Sequence, residues 1–153
     1  LGRCRNKEAV IVDTRHNGGG WLHDDLATLL SGKEYQQFAP RGQYIGSDPY
    51  NKWCKPSCVL VCEDDYSNAL GIGKLVGAPV PGTMTAVWWE TQIDPSIVFG
   101  IPQVGVRDMQ GNYLENHELE PDVEVYNTPK QQLGGEDKQL EEAVKLMLET
   151  VKK

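Results

Sequence analysis

No apolar run in the sequence approaches the ~18 residues of a membrane span, and no basic cluster extends beyond a couple of residues. The first absence leaves no candidate transmembrane helix. The second argues against a nucleic-acid partner, which needs a basic footprint; the formal net charge is -7, mainly a statement about solubility. Histidine is scarce too, at three residues, so imidazole chemistry has only His16, His23 and His117 to draw on. The chain opens on Leu1-Gly2-Arg3-Cys4-Arg5 with neither initiator Met nor signal peptide. The expectation is that Leu1 is a cut edge, so targeting cannot be read from it.

What is present fits one α/β domain. A length of 153 residues suffices for a real core, and the apolar and charged fractions are ordinary. Cys58 and Cys62 flank the apolar run Val59-Leu60-Val61, so both read as buried thiols on one face of a strand. Cys54-x3-Cys58 is not a common zinc knuckle spacing and no second ligand pair follows. No metal or cofactor is therefore expected.

Strands are expected at 8–13, 57–62, 74–77 and 121–126. A helix beginning near Leu22 carries Leu26, Leu29 and Leu30 at helical spacing and ends at Ser31-Gly32. Residues 33–56, rich in Gly, Pro, Tyr and Gln, read as a long surface excursion. Two hairpins are expected, one joining 85–92 to 97–99 and one joining 103–107 to 113–115. A last helix over 137–151 has Leu140, Ala143, Val144, Met147, Leu148 and Val151 as its apolar stripe. Strand, helix, strands and helix in that order give an α/β core with an antiparallel extension.

Between the first strand and first helix runs Asp13-Thr14-Arg15-His16-Asn17-Gly18-Gly19-Gly20. Its glycines permit a close backbone approach, and the following helix N-terminus offers free N–H groups. Such a turn can hold a phosphate or the oxyanion of acyl transfer, or be a tight turn with no ligand. It is neither a P-loop, since no Gly-Lys-Ser/Thr follows, nor a Gly-x-Gly-x-x-Gly fingerprint. The stretch Val12 to Gly20 resembles the strand-turn signature of the S41-type serine peptidases, the tail-specific or C-terminal processing proteases, and is most similar to their tricorn-like branch. The resemblance implies a crotonase-like ββα superhelix with a mixed sheet. It assigns the oxyanion hole to the amides of Gly18 or Gly19, with Leu70 beside them, and has Asp13 and Arg15 brace the turn.

The same resemblance locates the nucleophile after the next strand, where members read Glu-Tyr-Ser-x-Ser-Asp-Gly. Here Asp65-Tyr66-Ser67-Asn68-Ala69 follows. Ser67 matches the first serine, and Ala69 stands at the nucleophile position, where a methyl group cannot attack a carbonyl. Leu70-Gly71-Ile72-Gly73-Lys74 comes at once, about ten residues early for the family, which points to a missing segment near 67–70. An engineered change and a naturally inactive homologue stay open, as does Ser67 itself acting as nucleophile. The segment 77–85 has no lysine, against a Ser/Lys dyad; Lys74 reads as a solvated surface lysine. Glu115-Asn116 and Pro121-Asp122 match the branch's glutamate segment, while Glu118 replaces its usual Gly. By resemblance Glu115 would orient the catalytic histidine; otherwise it is a surface glutamate. That histidine comes from an earlier subdomain, and none of the three here occupies its position.

Residues 85–90 resemble the strand lining the substrate groove, so Thr85, Val87 and Trp88 are candidate substrate contacts through edge-strand pairing. Trp88 and Trp89 should point to opposite faces, one core and one groove, unless both are ordinary packing aromatics. The implied partners are a peptide or protein substrate and, through upstream subdomains, further copies of the protein; the implied location is the cell envelope or periplasm. Two other readings stay open. One is a non-catalytic peptide-binding homologue of the same fold. The other is a crotonase-like acyl-transfer enzyme, against which the Glu115 segment and the lack of a coenzyme signature argue.

Overall fold

The computed structural model describes residues 2–19, 22–49, 51–65 and 73–152, with the backbone alone for residues 22–24. In chain order the elements are β1 (Val10–Asp13), α1 (Leu22–Leu30), β2 (Gln36–Phe38), β3 (Gly46–Asp48), β4 (Ser57–Val61), β5 (Lys74–Gly77), β6 (Ala86–Thr91), β7 (Val98–Val104), β8 (Val123–Glu124), α2 (Pro129–Leu133) and α3 (Lys138–Val151). Short 3₁₀ turns add Gly2–Cys4 and Pro40–Gly42.

Four strands form a parallel sheet in the order β1-β4-β5-β8. The apolar run Val59-Leu60-Val61 makes β4 central, and it is buried on both faces, as parallel strands usually are. Its side chains alternate between two layers. Val59 and Val61 join Leu30, Trp53, Leu75 and Val80 on the α1 side. Cys58 and Leu60 join Val76, Ala143 and Met147 on the α3 side. Gly77 ends β5 at φ 142, where a Cβ would run into the Val61 carbonyl, so β5 can lie this close to β4 only with glycine there. Pro121-Asp122 leads into β8, and an Asp122 carboxylate oxygen accepts the Leu75 N–H at 2.8 Å, tying β8 to the start of β5.

Several elements differ from the sequence reading. The stretch 33–56 carries the antiparallel β2–β3 hairpin and sends Trp53 into the core. Flanked by Lys52, Cys54 and Lys55, that tryptophan shows no periodicity to announce it. β7 continues through Val104 and pairs with β6, with one register shift between Ala86 and Val87 that leaves Gln103 unpaired in the ladder. The second expected hairpin reduces to a single Arg107–Tyr113 bridge. The last strand keeps only Val123 and Glu124, and α2, capped by Thr128 and Gln131, was not foreseen. On α3 the buried side chains are Gln139, Ala143 and Met147, while Leu140, Val144 and Leu148 face outward. The apolar stripe is wider than the sheet it meets, so only its edge is covered. Trp88 and Trp89 are 57% and 67% exposed. Neither is a core residue, because among the described residues nothing packs over the β6–β7 ribbon.

Candidate active site

Parallel pairing brings the ends of β1, β4 and β5 to one edge of the sheet, where open α/β folds bind their ligands. Each strand delivers one part of the site. β1 ends in the glycine turn. The register Asp13↔Leu60 then sets residues 14–17 against residues 61–65 at the end of β4. The Thr14 hydroxyl and N–H donate to the Leu60 carbonyl, at 2.8 and 3.2 Å. The N–H of Asn17 donates to an Asp65 oxygen at 3.2 Å, and the other Asp65 oxygen accepts the Cys62 N–H at 3.0 Å. Asp65 is buried, which raises its pKa, while the two backbone donors work against that rise. It locks the turn before Gly18 to the residues that lead into Tyr66.

The other side of the glycine turn is held by Arg15. Its guanidinium grips Asp13 at 2.7 and 2.9 Å and Asp137 at 2.8 and 2.9 Å, and reaches Gln139 at 3.1 Å. Such forked, charge-assisted bonds fix direction as well as distance. Arg15 holds the Asp137 carboxyl far below the usual carboxylate range. Asp137 also caps α3 by accepting the Leu140 N–H, and Asn127 donates to it. The turn is thus anchored to the start of α3.

His16 sits at φ 62, in the left-handed region that non-glycine residues adopt only occasionally. Its Nδ1 lies 2.9 Å from Asp64 Oδ2, and this hydrogen bond raises the imidazole pKa. Its N–H donates to Cys62 Sγ at 3.2 Å. Burial first, and the hydrogen bond to Asp64 second, push the Cys62 thiol up to about 12. The proton stays on sulfur, so this cysteine is not the nucleophile.

β5 runs into the loop that carries Glu115's partners. Glu115 Oε2 accepts the Met84 N–H at 2.9 Å and the Thr85 hydroxyl at 2.7 Å, and these bonds lower its pKa. Asn116, at φ 63, donates its N–H to the Gly82 carbonyl at 2.7 Å. A side chain at Gly82 would strike the backbone N of His117, so the approach of 115–117 to this loop requires glycine. Glu115 is therefore fixed in a polar setting, and Thr85 is joined to it at the root of β6.

Of the sequence candidates, Gly18, Glu115, Thr85, Val87 and Trp88 lie on these segments, with Gly19 at φ 95. Ser67, Ala69, Leu70 and Gly20 fall outside the described residues, as does the His23 side chain. His117 donates its N–H to Leu114 within the Glu115 turn. Sequence reasoning missed Asp64, Asp65, Asn127 and Asp137. The first two were legible only as an acidic turn, and nothing local ties Asp137 to Arg15 across 122 residues. A hollow of about 670 Å³, lined by Trp53, Cys54, Gly73 and Lys74 among others, opens at the opposite, amino-terminal end of the strands. It lacks the glycine turn and the carboxylate set, so it is not the candidate site. No helix among the described residues is long and apolar enough to cross a membrane.

An α/β fold with a glycine turn beside a strand end at the carboxyl edge of a parallel sheet is the framework of a peptidase domain of the crotonase-like kind. The chain belongs to peptidase family S41, whose sequence model matches residues 1–125. It is 25% identical over 158 residues to the tricorn protease of Thermoplasma acidophilum, covering 95% of this chain and 14% of that protein. It is 28% identical over 152 residues to tricorn protease homolog 1 of Streptomyces coelicolor, covering 93% of this chain and 14% of that protein. The crystal structure of the tricorn protease superposes with a TM-score of 0.76 at 25% identity, over 95% of this chain and 15% of that one. The chain thus spans about one seventh of the length of the curated relatives it matches.

Proposed function

We propose that this chain is one part of a serine endopeptidase catalytic domain, its C-terminal portion, that cleaves extended polypeptides through an acyl-enzyme. The observation that carries the reading is the Asn17–Asp65 hydrogen bond at 3.2 Å. It joins the residue before Gly18 to Asp65 in the turn after β4, and this closeness of the start of the glycine turn to the end of β4 supports the reading. In this reading Gly18 or Gly19, with Leu70, stabilises the tetrahedral oxyanion, a contribution of several kcal/mol in acyl transfer. Ala69 marks the nucleophile position, with Ser67 two residues before it. Glu115, held ionised by Met84 and Thr85, orients a histidine that another part of the polypeptide supplies. The substrate pairs along β6 near Thr85, Val87 and Trp88, and the intact protein self-associates through its other subdomains.

A second reading is favoured by Ala69 itself: a peptide-binding homologue without covalent catalysis. The coding sequence across residues 66–70 decides whether a serine follows Ser67 by two. A fluorophosphonate probe on the intact protein should label that serine. Where Ala69 is genuine, the probe should label only after Ala69→Ser. An Ala69→Ser protein that stays unlabelled and cleaves no unstructured polypeptide, yet still binds one, would replace the first reading with the second.

A further inference from the structure

Two turns that share no sequence motif converge beside the candidate oxyanion hole. His16 comes from the turn after β1, and Cys62 and Asp64 come from the turn after β4, with their nitrogen, sulfur and oxygen atoms all within 4.8 Å of one another. Cys62 Sγ stands 3.9 Å from His16 Nδ1 and 2.8 Å from Asp64 Oδ1, and His16 Nδ1 is 2.9 Å from Asp64 Oδ2. Bonds of about 2.0–2.3 Å to a tetrahedral ion separate its donor atoms by roughly 3.3–3.8 Å. The sulfur–nitrogen pair already has nearly that spacing. The carboxylate sits slightly too close, and its side chain is 66% exposed and free to swing outward.

We propose that His16, Cys62 and Asp64 form a three-ligand site for a borderline-soft divalent cation of the zinc class, with the fourth position open to water. The donor set selects the metal. One thiolate and one imidazole favour zinc over magnesium or calcium, and three protein ligands with an open fourth are an established zinc arrangement. The supports belong to such a site as well. Asp65 spends its oxygens on the N–H groups of Cys62 and Asn17, fixing the two turns that carry the ligands. The His16 side chain is 68% exposed, so an ion enters without unfolding anything. Binding exchanges the Cys62 thiol proton for the metal; Asp64, which already accepts that S–H, passes the proton to water. The site lies outside the proposed peptidase roles and does not depend on them.

The test uses the intact, reduced protein with Zn²⁺ alone in titration calorimetry and Co²⁺ alone in absorption spectroscopy. One Zn²⁺ per chain is expected, with a thiolate-to-cobalt charge-transfer band. His16→Ala and Asp64→Asn, both at exposed positions, should each weaken Zn²⁺ by about 100-fold or more, since even losing a residue that only supports a ligand costs about 10–100-fold, and should abolish the band. Cys62→Ser should do the same. If it fails to fold, the two exposed variants still decide. Cys4→Ser and Cys54→Ser should bind as the parent does. Absence of stoichiometric Zn²⁺ uptake overturns the proposal. So does a cobalt–thiolate band that survives His16→Ala and Asp64→Asn, or one that disappears with Cys54→Ser.

Discussion

The central strand and the ribbon are built from similar residues and have opposite fates. β4 carries Val59-Leu60-Val61 and is buried from Cys58 onward, whereas β6 carries Val87-Trp88-Trp89 and is exposed along its whole length. The ribbon's two tryptophans carry at least as much apolar area to bury. What separates them is partners. β4 has a strand on each side and layers from the α1 and α3 sides on its two faces. β6 has only β7 among the described residues, and a side chain at Gly100 would press against the Trp89 ring. Apolar content states what a segment gains from burial; the fold decides whether it is buried. An isolated two-stranded ribbon is marginal in water.

That contrast can be broken most sharply at Gly77. Gly77→Ala adds a methyl against the Val61 carbonyl at a φ that only glycine tolerates well. The expected loss is about 4 kcal/mol or more, read as absence of a cooperative urea transition. Leu60→Ala, at a fully buried site, should cost about 2–5 kcal/mol by the same measurement. Arg15→Met should cost about 1–3 kcal/mol near neutral pH, because Arg15 is largely buried while Asp13 is half exposed and screened. The pH dependence has a definite sign. Asp137 has a folded pKa depressed below its unfolded value of about 3.9. Its contribution is therefore full above that value and fades as pH falls through it toward the folded pKa. Parent and Arg15→Met should differ most near pH ~6 and converge toward pH ~2, as followed by thermal melts. Trp88→Ala should move global stability by less than about 0.5 kcal/mol while speeding amide exchange across β6 and β7. A large global loss from Trp88→Ala would mean that the ribbon shares the core's cooperativity, and the contrast would fail.

Much of the fold was legible from residues. The runs at 8–13 and 57–62 read as buried strands, and 74–77 as a further strand, because short apolar runs rich in valine have few other homes; the structure gives Val10–Asp13, Ser57–Val61 and Lys74–Gly77. α3 was legible from its periodicity and α1 from its spaced leucines. The glycine turn was legible because three successive glycines have little use in a strand or helix. The errors share a cause. The sequence reading divided β7 at Gly100 and Pro102, yet both residues lie within the paired strand. Trp53 and the outward side of α3 depended on which surface the sheet presents. Within the candidate site, Glu115 and the glycine turn came from motif resemblance, whereas Asp65, Asp137 and the His16–Cys62–Asp64 cluster came from no local pattern.

The sequence by itself determined the strand and helix propensities, the run of three glycines after the first strand, and the alanine at residue 69. These are properties of single residues and their near neighbours, and no partner is needed to express them. Only the tertiary structure decided which apolar segments are covered and which distant polar groups meet. The parallel register of β1 on β4 brings residues 46 and 48 positions apart into hydrogen-bonding range, and register is set by the packing of whole faces rather than by any residue alone.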